Sequence, residues 1–213
     1  MQHVFQWEPD HKSYQDVFTN DESKEALEKG ELFVKIDGSN HCFIKQDDVW
    51  VPHARLDDRG KDVPGTVALP DGSNASAYGT HRYTYRPLRA DVSGKSQKRI
   101  NARLLELTEA YSEKIDTLAQ GESHLTFEAV GRKFQRTPGV DADVHIAVHC
   151  EQELKDDVER SFSGVRDFLE QHACEGVVVK HDGLYWKILS KGFGIDWRRD
   201  GAPGAILPVL IDQ

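Results

Sequence analysis

The run EGVVVKHDGLYWKIL, from Glu175 to Leu189, constrains the fold more than any other part of the chain. Two stretches rich in β-branched and aromatic residues flank Asp182-Gly183. An Asp-Gly pair in that setting is a strong hairpin signal, because both central positions of a tight hairpin turn need a positive φ. A hairpin implies antiparallel pairing, and with helical stretches elsewhere it favours an α+β fold over a doubly wound parallel sheet. It also fixes a register. With a two-residue turn, Lys187 lies opposite Val178 and Glu175 opposite Ser190, so Glu175 and Lys187 fall on opposite faces.

The rest of the chain fits one globular domain spanning 1–213. Its 213 residues, 38% of them hydrophobic, suffice for such a core. Thr19-x-x-Glu22 has capping-box spacing and predicts a helix over DESKEALEK, stopped by Gly30. ELFVKI reads as a strand in which Leu32, Val34 and Ile36 alternate with Phe33 and Lys35; HCFIK and VWVPHARL read as further strands. Asp57 to Gly79, rich in Gly, Pro, Asp and Ser, reads as a long surface connection. Ser96 to Ala119 predicts one helix ended by Gly121. HLTFEAVG and VHIAVH predict strands, and Glu151 to His172 a helix with apolar residues at spacings of three and four.

The charge balance, 27 basic against 36 acidic residues, gives −9 and excludes a protein that coats nucleic acid by its overall charge. Any nucleic-acid contact must be local. Cys42, Cys150 and Cys174 form no C-x-x-C and suggest neither a disulfide framework nor a zinc ribbon. The N-terminal stretch lacks a signal-peptide core, and no run approaches the ~18 apolar residues of a membrane span. A cytoplasmic, monomeric protein without membrane attachment is expected.

In FVKIDGSNHCF, Lys35 stands two residues before Asp37-Gly38 in an otherwise apolar run. Two readings fit: a surface lysine on a half-exposed strand, or a nucleophile. Arg55 in ARLDDRGK, Glu128 in FEAVG, Glu175 in EGVVVK and Lys187 in WKIL also border apolar segments, where charge is costly unless a partner or ligand compensates it. One such residue suggests a salt bridge; five suggest a common ligand.

In this order, the segments resemble the covalent nucleotidyltransferase superfamily of ATP-dependent ligases and mRNA capping enzymes. KIDGSN is similar to motif I, ARLD to Ia, FEAVG to III, EGVVVK to IV and WKIL to V, over Leu32 to about Trp197. Within the superfamily the chain resembles the small stand-alone RNA ligases of the vertebrate 5′-to-3′ type. The resemblance implies an adenylation domain of mainly antiparallel sheets flanked by helices. Only 26 residues follow Lys187, too few for the OB domain that DNA ligases and capping enzymes carry.

The implied chemistry joins RNA ends bearing a 5′-phosphate and a 3′-hydroxyl, using ATP and Mg²⁺ or Mn²⁺ through a lysyl-AMP intermediate. Lys35 is then the nucleophile. Glu175 and Asp37 are the metal candidates, and Asp37, Gly38, Arg55, Glu128, Lys187 and Lys191 contact the nucleotide, with Arg55 and Glu128 on the ribose and Lys187 on the α-phosphate. A lysine amine, with a reference pKa of about 10.4, attacks only when its neutral form is favoured, which nearby cations promote. The chain departs from the pattern at Val34, where RNA ligases often carry an acid, and at Lys191, which follows Lys187 only after Ile188, Leu189 and Ser190. For Glu175 and Lys187 to reach one nucleotide, the hairpin needs a longer, bulged turn, or Glu175 must precede regular pairing. Nick-sealing DNA ligase, capping-type transferase and an inactive nucleotide- or RNA-end-binding module are the alternatives.

For RNA contact the segment His81 to Arg103 stands out, with Arg82, Arg86, Arg89, Lys95, Lys98, Arg99 and Arg103 against the single acid Asp91, and Tyr83 and Tyr85 interleaved. A basic face paired with acids of the Glu151 to Glu159 stretch is the competing reading. Arg132, Lys133 and Arg136 follow motif III and are further phosphate candidates. Gly94-Lys95-Ser96 is only half a P-loop with no strand before it, and His145 and His149 read as packing or surface residues.

Overall fold

The computed structural model describes residues 1–58, 82–132, 134, 143–154, 158–197 and 209–211, with backbone alone for 57, 58 and 82–84. In chain order the elements are β1 (Gln2–His3), β2 (Phe5–Glu8), β3 (Ser13–Phe18), α1 (Asp21–Lys29), β4 (Glu31–Lys35), β5 (Ser39–Gln46), β6 (Val49–Asp58) and β7 (Arg82–Pro87). Then come α2 (Lys95–Ala110), α3 (Ser112–Ala119), β8 (His124–Val130), β9 (His145–Val148), α4 (Phe162–Gln171), β10 (Gly176–His181), β11 (Leu184–Leu189) and a 3-10 turn, Ser190–Phe193. The fold is α+β. The pairing is antiparallel throughout the described sheets except where β1 runs parallel to β11.

The chain divides into two compact units, each discontinuous in sequence. The first comprises Met1–Asp37 and Cys150–Pro208, the second Gly38–His149 and Val209–Gln213. The predicted connection is, from residue 59 on, outside the described residues.

The first unit holds a four-stranded sheet in the order β1-β11-β10-β4 and the two-stranded β2-β3. Alternation along β4 and β10 buries Leu32, Val34, Val177 and Val179, which join Phe5, Leu27, Leu169 and Ile188 in one core. Each such aliphatic side chain contributes about 1.5–3 kcal/mol on burial. Asn20, not Thr19, caps α1: its Oδ1 accepts from the Ser23 backbone N–H at 2.8 Å, and Ser23 Oγ accepts from the Asn20 N–H. The box is thus one residue later than the sequence suggested, and Thr19 instead donates to the His3 carbonyl. At the other end of α1, Arg160 donates to the Leu27 and Gly30 carbonyls, satisfying acceptors that a helix end leaves open.

The helix expected over 151–172 begins only at Phe162, where Ser161 Oγ accepts from the Gly164 N–H. Gln152 to Leu154 instead pair with the outer edge of β4, which needs partners, and Glu153 bridges Phe33. Val34 donates to the Gln152 carbonyl and Leu154 to the Leu32 carbonyl. Leu154 and Val158 are buried without being helical.

The second unit is built on a five-stranded sheet in the order β7-β6-β5-β8-β9, with α2 and α3 packed on it. Phe43 and Phe127 stack at 4.1 Å between centroids, at the centre of a core with Leu104, Leu107, Ile115 and Ile146. The single helix expected over 96–119 is two, broken at Tyr111, whose ψ of 24° leaves the helical region.

Candidate functional site

Register brings two lysines of the first unit to one face. Lys35 pairs with Gly176 and Gly176 with Leu189, while Phe33 pairs with Val178 and Val178 with Lys187. Directly paired residues share a face, as do residues two apart on a strand, so Lys35 and Lys187 point to the same side. No side chain stands between Lys35 and Leu189, because the residue there is glycine. A Cβ on Gly176 would lie 2.0 Å from the Ile188 carbonyl oxygen, so the backbones approach too closely for any other residue.

The hairpin has the two-residue turn, with Asp182 and Gly183 both at positive φ and an unbroken ladder from His181↔Leu184 to Gly176↔Leu189. The longer, bulged turn is absent. Instead Glu175 precedes the first ladder pair, its carbonyl accepting from the Ser190 N–H at 2.9 Å, and its side chain is free of the strand alternation. The carboxylate turns to Lys35: Nζ donates to Glu175 Oε2 at 2.6 Å, with the side chains 17% and 24% exposed.

Burial, then the nearby charges of Lys35 and Lys191, pushes Lys187 below the ordinary lysine range, with Glu175 opposing. Lys191 lies in the 3-10 turn, its Nζ 5.9 Å from the centre of the Trp7 ring. His3, paired with Lys187 across β1 and β11, falls to about 4, first through burial and then through Lys187, Lys191 and the N-terminus. Lys35 and Lys191 therefore crowd Lys187, and Glu175 offsets part of their charge.

Tyr14 braces this group. Its hydroxyl accepts from the Leu189 N–H at 3.1 Å and lies 2.5 Å from His3 Nδ1. The Tyr14 ring also covers Gly192, where an added Cβ would come within 2.2 Å of it. His3 and Tyr14 carry no motif spacing, and the sequence offered no signal for either.

Asp37, 8% exposed, ends the first unit. Among the described residues no three His, Cys, Asp or Glu side chains cluster as a protein-only metal cage. Mg²⁺ ordinarily takes one or two carboxylates and completes its shell with substrate phosphates and water. Glu175, in contact with Lys35, and Asp37, two residues after Lys35 in the chain, are carboxylates of that type.

In the second unit, Gly38 lies tight against β8: a Cβ there would be 2.6 Å from the Ala129 carbonyl oxygen. Asn40 pairs with Glu128 across β5 and β8 and donates to Glu128 Oε1 at 3.3 Å. His149 contacts the same oxygen at 3.1 Å and Thr126 Oγ1 at 2.8 Å, so it serves the predicted site residue Glu128 rather than packing alone. Arg55, exposed on β6, pairs with Tyr85.

The basic segment is split by its own folding. Arg89 makes a two-pronged bond to Asp91, at 2.9 and 2.7 Å, and Arg103 reaches Glu106 at 3.3 Å. Lys95, Lys98 and Arg99 form no ion pair among the described residues. His81 and the side chains of Arg82 and Tyr83 lie outside the described residues, as do Lys133 and Arg136. No helix among the described residues is long and apolar enough to cross a membrane. No family model matches the chain, and no curated protein matches it in sequence.

Proposed function

We propose that this chain is an ATP-dependent RNA ligase. Lys35 Nζ attacks the α-phosphorus of ATP, a nitrogen–phosphorus bond forms and pyrophosphate leaves. AMP then passes to the 5′-phosphate of an RNA end, and a 3′-hydroxyl attacks that phosphate, forming the phosphodiester and releasing AMP. The observation that carries the reading is the placement of Lys35 and Lys187 on one sheet face with Glu175 at 2.6 Å from Lys35.

The chemistry follows from that arrangement. Lys35 must shed a proton before it attacks, and Glu175 Oε2 is an acceptor within hydrogen-bond reach. The crowding of Lys187 by Lys35 and Lys191 is relieved when phosphate groups enter, so the cluster is preorganised for anionic substrate. Glu175 and Asp37 are the residues that would hold Mg²⁺ or Mn²⁺, whose bound charge offsets that of the triphosphate. The ribose roles of Arg55 and Glu128, and the nucleotide contact of Gly38, rest on the resemblance.

The test is incubation with α-labelled ATP or GTP and Mg²⁺, followed by detection of protein-bound, acid-labile label. ATP labels the wild type, Lys35→Ala is blank, and 5′-phosphorylated RNA discharges the label into sealed product. Equal labelling of the variant refutes the nucleophile. No labelling with either nucleotide favours a binding module, and exclusive sealing of nicked DNA overturns the RNA assignment.

A further inference from the structure

A second cationic feature lies in the second unit, along α2. Lys95, Arg99 and Arg103 recur at four-residue intervals, so they line one side of the helix with a rise of ~6 Å per step. That step is comparable with the distance between successive phosphates of an extended strand. The three side chains border a groove of about 590 Å³ whose apolar floor includes Ile100 and Val144. Among the described residues the one acid on its wall, Asp143, is engaged by Arg132 Nε at 3.5 Å. Lys95 and Arg99 have no acidic partner among the described residues, and the pair of Arg103 with Glu106 is solvent-exposed and weak. A protein of net charge −9 thus sets three cations side by side over a half-apolar groove.

We propose that this groove binds the sugar–phosphate backbone of single-stranded RNA, with the three cations on successive phosphates and the apolar floor under sugar or base. The inference rests on the ligase reading and deepens it by naming a surface that holds the substrate strand. An ordinary solvated basic face needs no cavity and no apolar floor; a strand-binding groove uses both.

The test measures binding of a fluorescently labelled single-stranded RNA by anisotropy across a salt series. Wild type is compared with Lys95→Ala/Arg99→Ala/Arg103→Ala and with a charge-matched control, Lys24→Ala/Lys29→Ala/Arg166→Ala, whose three sites are exposed on α1 and α4. Each phosphate contact to a single strand contributes about 0.7 to the salt slope, so the groove variant loses about 2. Its affinity falls at least tenfold at low salt, and the control keeps wild-type affinity. Unchanged binding by the groove variant, or an equal loss in the control, overturns the groove. Tighter wild-type binding to DNA of the same sequence overturns its assignment to RNA. Wild-type labelling by ATP is scored separately, so failure of the ligase reading and failure of the groove are read from different experiments.

Discussion

Glu175 Oε2 lies 2.6 Å from Lys35 Nζ, although the two residues are 140 positions apart in sequence. The carboxylate is positioned by the backbone just outside the β10–β11 ladder, where the Ser190 N–H holds the Glu175 carbonyl. Glu175→Gln keeps the shape and removes the charge. Loss of a proton acceptor of this kind typically costs about 10²-fold or more. The single-turnover rate of ATP labelling falls by that order at pH 7 while the circular dichroism spectrum is retained; a rate within threefold of wild type would remove Glu175 from the chemistry.

Gly176→Ala drives a methyl group into the Ile188 carbonyl oxygen, a backbone atom that cannot swing away. Strain of this type costs about 1–3 kcal/mol. Urea denaturation shows a lower midpoint, and because Lys35 and Leu189 flank this position, the labelling rate falls with it.

Tyr14→Phe removes the hydroxyl that accepts from the Leu189 N–H and meets His3. The buried N–H is left without its acceptor, at about 1–3 kcal/mol. Thermal unfolding shifts down accordingly, and Gly192→Ala, which clashes with the same ring, produces a loss of similar kind.

Stability falls as acidity rises, and His3 is one reason. Its folded value lies at about 4 against 6.5 for the free side chain. Between these values the unfolded chain binds the proton that the folded chain refuses, so stability is full above about 6.5 and declines as pH falls toward 4. The buried His41 and His53 are shifted in the same direction by burial and contribute to the same slope. Melting temperatures recorded from pH 7 to pH 4.5 fall steadily, and His3→Asn flattens the decline.

Lys95→Glu separates stability from binding. Lys95 opens α2, whose first turn contains no acid and whose N-cap, Gly94, offers no side-chain acceptor. An acid there interacts favourably with the helix N-terminus and is worth about 0.3–1 kcal/mol. The variant melts higher than wild type and binds single-stranded RNA more weakly; weaker binding without the gain in stability would signal a distorted helix.

The hairpin was legible because Asp182-Gly183 fixes its register locally, and Lys187 opposite Val178 followed from that. The proximity of Glu175 was legible only as an alternative, since the ladder ends one residue after it, and sequence does not mark where pairing stops. The helix over 151–172 was overdrawn because Leu154 and Val158 face a core at helical spacing while the chain around Leu154 bonds to β4. Tyr111 breaks its helix without a glycine or proline to announce it. The bracing by Tyr14 and the pairing of β1 with β11 are long-range contacts among residues with no local pattern, which is why neither His3 nor Tyr14 stood out.

The interval between Lys35 and Glu175 also bears on biosynthesis. Lys35 leaves the ribosome 140 residues ahead of Glu175, so β4 waits for β10 and β11 before its sheet can close. A fragment that stops before β10 therefore leaves that side of β4 as an open edge and Lys35 without its carboxylate partner, a template for mispairing until the hairpin arrives.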